Sequence, residues 1–86
     1  MEVIEIKDIV KKDMAIDYRR VYTAMAVIDM AGVQVEKKIE MALEHTPLGE
    51  VGIKITLLDS LDYPLIPVLK KITEKARILQ QEGTIY

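Results

Sequence analysis

Catalysis and metal binding need side chains that hold protons, ions or nucleophiles, and this sequence offers few. His45 is the single histidine and the only side chain whose unperturbed pKa lies near neutrality, which makes it the first candidate for a general base. The hydroxyl beside it belongs to Thr46, and Thr46-Pro47 reads better as the stop of a regular element than as a nucleophile. Asp59 and Asp62 flank the segment holding Ser60 and suggest a carboxylate pair or a hard-cation site. A calcium loop spreads more ligands over a longer stretch, whereas Asp and Ser ahead of a helix are ordinary turn and capping residues. The chain has no cysteine, which excludes disulfides, thiolate zinc sites and thiol catalysis. One histidine cannot build an imidazole metal site without carboxylates or a second subunit. On this reading no residue is catalytic, cofactor-binding or metal-binding, and no cofactor is implied.

Charge gives a second set of candidates. Twelve basic and fourteen acidic residues leave a net charge of −2, and the signs alternate along the chain instead of gathering into a basic face, which argues against nucleic acid. The doublets Lys11-Lys12, Arg19-Arg20, Lys37-Lys38 and Lys70-Lys71 remain the best case for it. Asp8, Asp13, Asp17, Glu36, Glu40 and Glu74 sit at neighbouring helical spacings and would pair with them. Leu48-Gly49-Glu50-Val51-Gly52-Ile53-Lys54-Ile55 fits the G-x-x-G pattern that is similar to the backbone-clamping loop of KH domains. It departs from that family twice: Glu50 places a negative charge where phosphate would sit, and the following residues alternate as a strand. An ordinary loop is the preferred reading there.

The elements that must carry these residues follow from periodicity. Val10, Met14, Tyr18, Val21, Met25, Ile28, Gly32, Val35, Ile39 and Ala42 recur in steps of four and three, a heptad pattern among Ala, Met, Glu, Lys and Arg. This predicts a long amphipathic helix over about 8–45, ended by Thr46-Pro47. Gly32 could instead cap a first helix, but the stripe keeps its phase across it and no capping residue follows. Val51, Ile53, Ile55 and Leu57 alternate with their neighbours and predict a strand over about 51–58. That strand needs backbone partners: residues 2–6, the tail at Thr84-Ile85-Tyr86, or the same strand of a second copy. Pro64 and Pro67 fit the first turn of a shorter helix over about 65–82, with Leu65, Leu69, Ile72, Ala76 and Leu79 as its stripe and Gly83 as its stop. The expected fold is α+β: a long helix and a shorter one on a small sheet, in one domain spanning residues 1–86.

An unbroken helix from Met14 to His45 would be about 48 Å long, against a diameter of roughly 30 Å for a compact chain of this size. It would overhang its own domain, and its stripe would need a second chain. Hence the expectation of a homo-oligomer with Met14, Tyr18, Val21, Met25, Ile28, Gly32, Val35 and Ile39 at the interface. The leading functional reading is a non-enzymatic interaction or scaffold protein whose partner is itself or another protein. A nucleic-acid-binding regulator that gathers its basic doublets by oligomerising is the alternative, and a small enzyme or ligand carrier with a site at a subunit junction is a third. The acidic amino terminus lacks a signal-peptide start and no apolar run is long enough to span a bilayer, so a cytoplasmic protein away from membranes is expected. Absence of Asn, Phe, Trp and Cys, with abundant Ile, Glu and Lys, leans toward a thermophile composition.

Overall fold

In the computed structural model, which describes residues 1–12 and 18–85, the first two thirds of the chain are strand and not helix. Strands β1 (Glu2–Lys11), β2 (Arg19–Met30), β3 (Val33–His45) and β4 (Val51–Leu57) form one antiparallel sheet in the order β1-β2-β3-β4. A single helix, α1 (Leu65–Gln81), follows. The fold is therefore α+β, but the long helix expected over 8–45 is replaced by three strands, and β4 pairs with β3, not with residues 2–6. The thirteen residues of β3, at about 3.3 Å each, account for the 41 Å long dimension of the molecule.

The turn at Ala31-Gly32 is where the helical reading fails. Ala31 has φ 54° and Gly32 φ 85°, the two positive angles that a two-residue hairpin loop between right-twisted strands requires. The Gly32 N–H donates to Asp29 Oδ1 at 2.9 Å and closes the turn. Met30 then faces Val33, and the pairing runs unbroken from there to Arg19 opposite Glu44. Gly32 does mark a break in the pattern, but the break is a strand turn.

Period two sorts the apolar residues onto two faces. Tyr22, Ala24, Ala26 and Ile28 of β2, Ile39, Met41 and Leu43 of β3, and Ile55 of β4 face one side and form the core with Val3 and Ile6. Helix α1 closes that side with Val68, Ile72 and Ala76, one residue per turn on a single stripe. Ala24 and Ala26 are small and enclosed in this cluster, leaving room for the helix layer. Pro64 occupies the N-cap without a side-chain cap, and Pro67 lies in the first turn, where its missing N–H costs nothing. Gly83, at φ 79°, ends the helix as expected, and the chain turns back so that Ile85 is buried in the same core. Leu65, placed on the stripe by the sequence pattern, is about half exposed.

The opposite face of the sheet has no helix, yet Val21 and Val27 there are only 3% and 6% exposed. Lys7 Nζ of β1 reaches Glu36 of β3 at 3.1 Å, and Lys12 Nζ reaches Glu40 of β3 at 3.2 Å. Each of these ion pairs crosses over β2. The aliphatic stems of the lysines lie across the β2 valines while their charged ends stay wet. The Glu36 carboxylate, through its hydrogen bond and its charge, raises the Lys7 ammonium pKa above the ordinary 10.5. Acidic and basic residues thus pair across strands, not at helical spacings along one element.

Candidate functional site

The structure distributes the chemistry-bearing residues instead of gathering them. His45 ends β3, where its N–H donates to the Tyr18 carbonyl at 2.8 Å; it does not sit at a helix C-terminus. Asp59 lies at the other end of the sheet, its Oδ2 accepting the Lys38 N–H at 2.7 Å. Its carboxylate therefore secures the end of β3 and does not cap α1. Lys38 and His45 stand seven residues apart on β3, so His45 and Asp59 are separated by about 23 Å. Among the described residues, no three His, Cys, Asp or Glu side chains are placed to hold a metal ion. No described helix is long and apolar enough to cross a membrane.

The eight residues of the expected seam do not share one surface. Met14 lies outside the described residues. Ile28 and Ile39 are enclosed in the chain's own core, with Val35 packed at its edge. Val21 and Met25 occupy the opposite face of β2, Gly32 is in the turn, and Tyr18 is exposed where β2 begins. The basic doublets are dispersed by the same geometry, because neighbours in a strand point to opposite faces. Lys12 and Arg19 are moreover engaged, Lys12 with Glu40 and Arg19 Nη1 with Glu44 at 3.4 Å.

What the fold does bring together lies along β4. Leu58 N–H donates to Lys38 O and Thr46 N–H to Glu50 O, each at 2.9 Å. Between these bonds the register places Thr56 opposite Glu40, Lys54 opposite Ala42 and Gly52 opposite Glu44. In an antiparallel pair, alternate residues turn both backbone groups toward the partner strand. Gly52, Lys54 and Thr56 therefore address β3, while Val51, Ile53, Ile55 and Leu57 turn their N–H and C=O groups to the open edge. Arg77 of α1 donates from Nη1 to the Val51 carbonyl at 2.6 Å, in agreement with that phase.

On the face away from the helix, Ala42, Glu44, Gly52, Ile53 and Lys54 line a shallow depression of about 190 Å³. The depression exists because Gly52 has no side chain and Ala42 a short one. Past the strand, Leu58, Tyr63, Leu65 and Ile66 are exposed, Leu58 at 46% and Ile66 at 77%, and the β3–β4 turn carries Leu48 at 86%. Sequence reasoning alone misses this region. Its available signal is Gly52, a glycine within a strand pattern, which marks a bulge or a close backbone approach.

Comparison with curated proteins found no match, and comparison with solved structures found none. The model of the BB_0187 family matches residues 1–81, nearly the whole chain, and the protein belongs to that family.

Proposed function

We propose that this chain is a non-enzymatic interaction protein that works by associating with itself, a small scaffold unit. The observation that carries the reading is the run of exposed apolar side chains Leu58, Tyr63, Leu65 and Ile66, within nine residues and directly continuous with the open edge of β4. Single exposed leucines are normal on any surface, but grouped ones rimmed by polar residues mark interaction sites. The basis for self-association differs from the one the sequence suggests. No overhanging helix needs cover, and the hairpin at Ala31-Gly32 folds most of the apolar stripe into the chain's own core. The surface now invoked is the β4 side of the sheet and its flanking turns.

Sedimentation velocity over a range of micromolar concentrations tests the proposal. The expected result is a concentration-dependent shift from the 9.8 kDa monomer to a dimer or larger assembly. A single monomeric species across the whole range would contradict it.

A further inference from the structure

Gly52 is a puzzle within a single chain. Its φ is not in the positive region that favours glycine, and the nearest atom to a Cβ built there is the Glu44 carbonyl oxygen at 3.9 Å, an ordinary contact. Neither backbone conformation nor crowding inside the chain calls for glycine at this position. Glycine in a strand interior also weakens the strand, through lost entropy and a missing side chain. Room left empty on an edge strand, with no internal use, suits something that arrives from outside.

We infer that the open edge of β4 pairs antiparallel with β4 of a second copy, in the register that sets Ile53 opposite Ile53. This rests on the self-association reading and names its interface. Three observations select the register. Centring the pair one residue on would set Lys54 directly opposite Lys54, a like-charge contact that destabilises a sheet. Centring it on Ile53 sets Lys54 opposite the second copy's Gly52, which in its own sheet lies opposite Glu44. The Lys54 ammonium then passes over the bare Gly52 backbone toward that Glu44 carboxylate, filling the depression. The reach is two strand spacings, roughly 10 Å between Cα atoms, the span that Lys7–Glu36 and Lys12–Glu40 already bridge over β2. The same register carries half-exposed Leu58 to the second copy's β3–β4 turn, where Leu48 is 86% exposed.

On the helix side, Val51 faces Ile55 and Ile53 faces Ile53, so the apolar row of each β4 continues into the other. The outward N–H and C=O groups of Ile53 and Ile55 gain ladder bonds. Val51 O keeps its Arg77 bond and accepts the incoming Ile55 N–H on its second lone pair. The product is one eight-stranded sheet with both helices on the same face.

Sedimentation equilibrium of four variants tests the register, with circular dichroism confirming that each is folded. Lys54→Glu and Glu44→Lys each weaken dimerisation roughly tenfold, because the two-fold axis repeats the repulsive contact. The double variant Lys54→Glu/Glu44→Lys recovers most of the loss. Gly52→Thr fills the depression with a residue that strands prefer, so the monomer is no less stable while its dimer is weaker. Wild-type self-association that none of these variants moves would overturn the β4 pairing and leave self-association standing through another surface. A wild-type chain that stays monomeric would remove both.

Discussion

The two edges of this sheet are built differently. β1 carries two bulges, each inserting one extra residue against β2: Ile4 between Val3 and Glu5, and a second between Lys7 and Val10 that includes Asp8 at φ 53°. Glu2, Glu5, Lys7, Asp8 and Lys11 line it with charge, and Lys71, Glu74 and Lys75 of α1 lie against its start. β4 pairs with β3 without a register shift, and Lys54 is its only charged residue. Bulges and edge charges are how proteins keep a sheet from adding strands. One edge here is defended and the other is not, the pattern expected of a sheet that grows in one direction only. Four strands and one helix suffice for a core; they do not explain an unguarded edge.

Substitutions can probe that contrast at each edge. The largest effect falls on the support the edges share, since α1 packs against both β1 and β4. Ile72→Ala, at a fully buried position, is expected to cost about 2–5 kcal/mol in urea unfolding, and it loosens both edges together. Arg77→Ala acts on one edge alone by removing the bond to Val51 O. A charged donor on a backbone carbonyl contributes about 1.5 kcal/mol, and faster amide exchange near β4 but not β1 is the accompanying sign. Ala31→Asn lies away from both edges and relieves a non-glycine residue held at φ 54°. It is expected to raise stability by about 0.5–1 kcal/mol and to leave association unchanged.

The smallest effect belongs to the β1 side and depends on pH. The folded-state pKa of Lys7 is raised by Glu36, so the contribution of this ion pair is fully present below about 10.5 and disappears as pH rises through the folded value. Thermal melts of Lys7→Met and the wild type should differ slightly at neutral pH and converge in strong alkali. A difference that persists unchanged there would mean that the lysine stem, and not its charge, covers Val27.

The legible parts of the sequence are those whose pattern matches their element. Val51–Leu57 alternates cleanly with β-branched residues, and α1 shows proline in its first turn, an apolar stripe and a closing glycine. β2 and β3 read as helix because their composition favours the other element. Ala24, Ala26 and Met41 are good helix formers, placed inward because a helix layer sits against them. Glu36, Lys38, Glu40 and Glu44 occupy one sheet face at period two, yet they also fit a helical charge pattern. The hairpin signal is weak for a chemical reason: the chain contains no asparagine, so the turn uses Ala-Gly where Asn-Gly would have announced it. As for the candidate site, Gly52 is visible in the sequence but reads there as part of a phosphate-binding pattern. Its meaning depends on Glu44, which sequence separation hides and strand register reveals.

Amide hydrogen exchange read by NMR at low and high protein concentration tests the unguarded edge most directly. The amides of Gly52, Lys54 and Thr56 bond to β3 and should be protected at every concentration, whereas those of Ile53 and Ile55 should exchange fast when dilute and slow markedly when concentrated. Outward amides of β1 should stay fast throughout. Rapid exchange of Ile53 and Ile55 at all concentrations would contradict the account.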